Sequence, residues 1–395
     1  MIVLAGGDLI LPDRILTAAS LVIDDERIVA IEQRERVEPA GATVVDVRDR
    51  YIVPGFVDVH VHGVLGTDTL DGGDAVSRIA GALPRFGVTA FCPTTVACSP
   101  TALDTMLVAV REARLSPRAG SARVLPAHLE SNFINPEFRG AQPLDCIRTA
   151  AGLPAEGEFA GRAVLDVIAA HRADVGIVTV APEMPGGLDL VKDLVASGHR
   201  VSIGHTGATF EQANEAIDAG IRHATHLFNR MSSLGHRAPG ATGAALAREE
   251  VCAELICDGF HVHPAVCHVA IATKGTPGIM AITDGTAGSG QPVGTTGRLG
   301  GRRITVGEQA AFLDDRTLAG STLTMDRAFR MIATQFGQSI VAAAQLCSTT
   351  PARELGLTGF GVIAEGAVAD LAVLDRGFRV THTFIAGRQA WPREP

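Results

Sequence analysis

The sequence predicts an α/β protein: a (β/α)₈ TIM-like barrel carrying a small β-sandwich domain built from both termini. Three observations lead there. Eight short apolar runs recur between about residues 54 and 349, most of them separated by segments of helical period. Both ends of the chain are instead β-rich and broken by turn residues. Histidines and carboxylates stand at the ends of the apolar runs, where a barrel gathers its functional groups.

The N-terminal stretch "IVLAGGDLILPDRILTAASLVIDDERIVAIEQ" reads as short strands, with "DDER" as a hairpin tip. The C-terminal stretch "GVIAEGAVADLAVLDRGFRVTHTFIAGRQAW" has the same character. The expected organisation is therefore 1–53 and 350–395 as two parts of one small β domain, with 54–349 inserted as the barrel. The eight strand candidates are "GFVDVHVH", "TAFCPTT", "RVLPAHLE", "VGIVTVAPE", "RVSIGHT", "HATHLFN", "CAELICDG" and "GIMAITDG". Between them, "DAVSRIAGALPRF", "LDLVKDLVASG" and "TFEQANEAIDAG" have helical period. In the last, Glu211, Glu215 and Asp218 share the polar side while Phe210, Ala213 and Ile217 face inward.

In a strand, residues i and i+2 point to one face, so His60 and His62 converge. His128 and Glu130 end the third run, His205 the fifth, His226 lies in the sixth and Asp284 ends the eighth. Imidazole and carboxylate are donors that borderline divalent metals accept. An unpaired buried carboxylate is costly, and a cation removes that cost. His128, alternating with Leu129 beside Glu130, is the member expected to support the site rather than to ligate.

Net charge is −9 from 43 acidic and 34 basic residues, which disfavours nucleic acid and suits a small-molecule protein. The seven cysteines form no CxxC pair and read as reduced thiols, mostly in the core, of a cytoplasmic protein. No signal peptide and no membrane-spanning run is expected.

The ordered set "PGFVDVHVHG", "HLE", "GHT", "THLFN" and "TDG" resembles the amidohydrolase superfamily. Within it, "INPEFRGA", "VTVAPE", "GHTGATFEQA", "THLFNRM", "DGFHVHP" and "LAGSTLTM" resemble the N-acetylglucosamine-6-phosphate deacetylase family, over nearly the whole chain. The resemblance implies metal-dependent hydrolysis of a sugar-phosphate acetamide. It implies Glu130, His205 and His226 as principal metal ligands, His60 and His62 as the pair used by members with a second metal, and Asp284 as catalytic acid/base. One or two divalent ions are implied, zinc first, with iron, manganese and cobalt also open. For substrate it implies Ala141, Gln142, Asn229, Arg230, Arg237, His261, Leu318, Ala319 and Gly320. Arg237 is the phosphate candidate, reaching a neighbouring subunit's site and so implying a homodimer; a guanidinium fork suits phosphate. Two departures stand out. Ser131 and Asn132 occupy the family's usual Gly-Pro, and Gln142 stands where a histidine is usual, which leaves the galactosamine epimer or another N-acyl substrate open.

Overall fold

The computed structural model describes residues 1–35, 37, 39–151 and 157–392. Its centre is eight parallel strands in chain order: Phe56–Val61, Val88–Thr95, Ala127–Leu129, Val175–Val180, Arg200–Ile203, His223–Ala224, Cys252–Ile256 and Ile279–Ile282. All eight apolar runs are strands. The ring closes where Val61 bridges Gly285 in parallel, with the Gly285 carbonyl accepting from the His62 and Gly63 amides at 2.8 and 2.9 Å. Asp58 reinforces this seam. Its carboxyl accepts from Thr283 Oγ1 at 2.6 Å and from the His60 amide at 3.2 Å.

Helices cover the outside because their apolar stripes match the barrel wall. Pro100–Leu115 starts at Ser99, which caps the Ala102 amide, and Phe210–Asp218 opens with a reciprocal cap between Thr209 and Gln212. That second helix buries Ala213, Ala216 and Ile217 and leaves Glu211, Glu215 and Asp218 outward.

Strands from both ends pair into one further sheet. Tyr51–Pro54 lies between Ile2–Ile10, parallel to it, and Leu371–Leu374, antiparallel to it. The sheet buries Leu4, Leu9, Leu21, Ile23, Ile52, Val373 and Phe384 in a core of its own. Asp24 pairs with Arg27, so "DDER" is a hairpin tip. Thr350–Glu354 is helical and contacts the first and eighth barrel strands, and the returning strands begin at Leu371.

One element was not expected from the sequence. After the eighth strand, Thr296–Leu299, Arg302–Val306, Ala310–Leu313 and Leu318–Ser321 form a four-stranded antiparallel sheet. It packs on Val96 through Leu299, Ile304, Leu313 and Ala319 and so stands beside the mouth of the barrel. Among the described residues, no helix is long and apolar enough to cross a membrane.

Candidate active site

Five of the strand ends deliver groups to a common point. His60 and His62 share a face of the first strand, and their Nε2 atoms lie 3.2 Å apart. Glu130 follows the third strand. Its Oε1 is 2.7 Å from both His205 Nε2 and His226 Nε2, and its Oε2 is 3.3 Å from His62 Nε2. His205 and His226 Nε2 are 3.1 Å apart. Asp284 Oδ1 completes the ring at 3.3 Å from His62 and 3.4 Å from His60. All six residues are buried. His205, His226 and Asp284 have φ of 47°, 30° and 47°, a left-handed backbone that non-glycine residues adopt at cost and that clusters at working sites.

Ring tautomers are set from behind. The His205 Nδ1–H donates to the Phe138 carbonyl at 2.8 Å, which leaves the Nε2 lone pair facing Glu130. His60 Nδ1 meets Glu254 Oε2 at 2.9 Å in the same way. Ring nitrogens 3.1–3.2 Å apart, gathered about one carboxylate, suit a cation between them. Two donor sets meet this description, His60–His62–Glu130 and Glu130–His205–His226, with Glu130 common to both. Electrostatics agree. Burial opposes charge on His62, but Asp284 and Glu130 hold its pKa up to about 10; burial likewise opposes charge on His226, and Glu130 lifts it to about 9. Burial works against Glu130 too, yet His205 and the other facing histidines hold its carboxyl well below the usual range. Carboxylates that retain protons on histidines this strongly would retain a dication in their place, with proton release. The donor set therefore fits a divalent metal.

His128 behaves as the sequence suggests. Both ring nitrogens are engaged, with the Val59 carbonyl at 3.0 Å and Thr179 Oγ1 at 2.9 Å, and burial drives its pKa down to about 4. It is a neutral prop in the barrel interior.

A pocket of about 60 Å³ opens onto these groups, lined by Gly140, Ala141, Gln142, Asn229, Arg230, His261, Leu318 and Gly320 together with His62, Glu130, His205, His226 and Asp284. It shares Gly140 and Gln142 with a wider cavity of about 1380 Å³. Gln142 Nε2 donates to Glu130 Oε2 while its Oε1 accepts from the Ala97 amide at 2.7 Å. Its side chain is thus fixed at both ends. Asn132 ties the Cys98 and Cys146 carbonyls together at 2.7 Å each, and Ser131 Oγ bonds the Thr179 carbonyl. Of the two residues that depart from Gly-Pro, Asn132 thus braces the loop carrying Gln142, and Ser131 ties the start of that loop to the fourth barrel strand. His261 Nδ1 is held by Asp258 at 2.6 Å.

Two expected lining residues are elsewhere. The Ala319 methyl is fully buried in the apolar cluster under the four-stranded sheet, because alternation along that strand turns Leu318 and Gly320 the other way. Arg237 is exposed on the loop before Gly240–Ala247 and does not line this chain's own pocket, and His236 beside it is exposed too. The two buried acids that bond to His60, Asp58 and Glu254, were missed. Each lies mid-strand in an otherwise apolar run, and that was the available signal.

Residues 51–390 match the model of the amidohydrolase family. The chain belongs to the N-acetylglucosamine-6-phosphate deacetylase family of amidohydrolases. It is 35% identical to the N-acetylglucosamine-6-phosphate deacetylase of Lysinibacillus sphaericus over 371 residues, 92% of this chain and 91% of that one. It is 32% identical to the N-acetylgalactosamine-6-phosphate deacetylase of Escherichia coli O157:H7 over 380 residues, 95% of this chain and 97% of that one. Among solved structures it resembles a mutant of the Mycobacterium smegmatis N-acetyl-D-glucosamine-6-phosphate deacetylase in complex with N-acetyl-D-glucosamine-6-phosphate, with TM-score 0.87, 32% identity and 98% and 99% of the two chains covered. Members of this family hydrolyse a C–N amide bond, and this chain is an enzyme of that type.

Proposed function

We propose that this enzyme hydrolyses the acetamide of N-acetyl-D-glucosamine 6-phosphate, giving acetate and D-glucosamine 6-phosphate. The observation that carries the reading is the pocket that ends on Asp284 and the two Glu130-centred donor sets. Glu130, His205 and His226 would hold one divalent ion, and His60, His62 and Glu130 a second. When bound, such a cation supplies Lewis acidity at the acyl carbonyl and makes an attacking water acidic near neutral pH. Zinc is the first choice, since the donors are imidazole and carboxylate.

Asp284 takes the proton of the attacking water and returns it to the leaving amine. Its Oδ1 lies among the histidine Nε2 atoms, at the pocket floor where water and carbonyl would meet. Gln142 has a second N–H beyond the one Glu130 takes, and this donates to the carbonyl oxygen as negative charge develops. Rigidity from Ala97 compensates in part for the missing charge of a histidine. Asn229, Arg230 and His261 line the way in and orient the sugar, beside Ala141, Leu318 and Gly320. Arg237, exposed and absent from its own pocket, is suited to reach the phosphate in a partner's site within a homodimer. Free cysteines throughout suit a reducing cytoplasm.

The galactosamine epimer is a second reading, favoured by Gln142 and by the similarity to a galactosamine-phosphate deacetylase. Acetate release by metal-reconstituted protein from both 6-phosphates and both unphosphorylated sugars separates the two. Efficient turnover of the glucosamine phosphate is expected. Inactivity on all four, with metal bound, would overturn the substrate assignment.

A further inference from the structure

Glu254 lies in the middle of the seventh barrel strand, Cys252–Ile256, where every residue is buried. With a period of two, it shares the inward face with Cys252 and Ile256. Its side chain is fully buried beneath the site. Oε2 is 2.9 Å from His60 Nδ1 and 3.3 Å from the His226 amide nitrogen. One carboxylate oxygen thus touches a member of each histidine pair.

We propose that Glu254 is the positioning residue that makes the His60–His62 half of the site competent for a cation. The inference rests on the metal-centre reading above. A carboxylate oxygen only accepts, so the hydrogen of His60 is placed on Nδ1 and the lone pair of Nε2 is turned into the site, 3.2 Å from His62 Nε2 and 3.4 Å from Asp284 Oδ1. Each histidine pair has one ring anchored in this way. His205 is anchored by the Phe138 carbonyl and His60 by Glu254, while the Nδ1 atoms of His62 and His226 have no partner among the described residues. The two anchors differ in kind. A carbonyl fixes orientation; a carboxylate fixes orientation and also strengthens the imidazole as a donor.

Glu254 could instead be a ligand, since its carboxylate, His60 and His128 form a third compact group. The hydrogen bonds decide against this. Both nitrogens of His128 are taken by Val59 and Thr179, and His60 turns toward Glu254 the nitrogen that carries hydrogen. No three lone pairs converge there.

The test is a count of ions. Wild type, Glu254→Gln, His60→Gln and the double variant are reconstituted with Zn²⁺. Zinc per chain and the affinity of each ion are then measured by elemental analysis and competition with a chelator. Folding is followed by circular dichroism. Gln keeps the length of the side chain and an acceptor oxygen but removes the charge. The expected result is two ions in wild type. Glu254→Gln should keep one tight ion and bind the other about 10- to 100-fold more weakly. His60→Gln should also keep one ion, and adding Glu254→Gln to it should change nothing further. Unchanged affinity for both ions in Glu254→Gln overturns the proposal. So does an equal weakening of both, or loss of the fold, which would assign Glu254 a structural role. A single ion in wild type overturns it while leaving the proposed function standing, and no ion at all overturns both.

Discussion

Asp284→Asn isolates proton transfer from everything else Asp284 does. Its φ of 47° lies in the left-handed region, where Asn and Asp are the most tolerated side chains after glycine, so the backbone of the loop should not change. Asn also keeps an oxygen at the position of Oδ1, 3.3 and 3.4 Å from His62 and His60, and can still face a cation there. What it loses is the ability to accept and return a proton. Positioned general acid–base catalysis contributes about 10²- to 10⁴-fold, which at about 1.36 kcal/mol per decade is roughly 3–5 kcal/mol of barrier. The group here serves twice, once on the water and once on the amine, so the upper part of that range is expected. The assay is steady-state acetate release with zinc content measured on the same sample. Expected are kcat lower by about 10³- to 10⁴-fold, with KM and zinc content near wild type. A kcat within tenfold of wild type at full zinc content would refute the acid/base role, and parallel loss of zinc would reassign Asp284 as a ligand.

Arg237→Ala should raise KM for the phosphorylated sugar by about 10- to 100-fold, the worth of one lost charge-assisted contact of roughly 1.5–3 kcal/mol, and leave the unphosphorylated sugar unaffected. Equal effects on both would remove the phosphate role. Gly140→Ala should impair substrate binding without unfolding the protein. A Cβ there meets Arg230 Nε at 2.9 Å, and a φ of 57° adds backbone strain, so Arg230 must leave its present position in the pocket lining. Unchanged KM would show that Arg230 makes no contact with substrate. Removing metal with a chelator should lower the melting temperature, because a ligand at a hundredfold excess over its Kd stabilises by about 2.7 kcal/mol. Identical melting curves for apo and reconstituted protein would speak against a metal bound at Glu130.

The barrel was legible because its strands are short apolar runs that end in polar residues, and that punctuation is local. His60 and His62 could be paired from the period of a strand alone, and Glu130, His205, His226 and Asp284 from their places at strand ends. Glu254 and Asp58 escaped for the converse reason. They act from mid-strand, and a search along strand ends passes over them. The four-stranded sheet after residue 295 escaped because its strands are brief, glycine-punctuated and polar on one side, as in "TGRLGGRRITV". Ala319 was grouped with its neighbours Leu318 and Gly320, but adjacent residues in a strand face opposite ways. The fixed posture of Gln142 depends on Ala97, 45 positions away, and no local pattern announces it.

The pairing of Tyr51–Pro54 with Leu371–Leu374 also bears on how the molecule is made. The two strands lie on either side of the entire barrel in sequence, so their contact has a very large separation along the chain. Contacts of that kind form late, because the loop must close before any bond rewards it. During synthesis the N-terminal strands leave the ribosome long before their C-terminal partner exists. Until it arrives, the edge of Tyr51–Pro54 that Leu371–Leu374 will cover has unpaired amides and carbonyls. Completion of the small sheet therefore waits for Leu371–Leu374, and in that interval the nascent chain carries a strand edge open to aggregation.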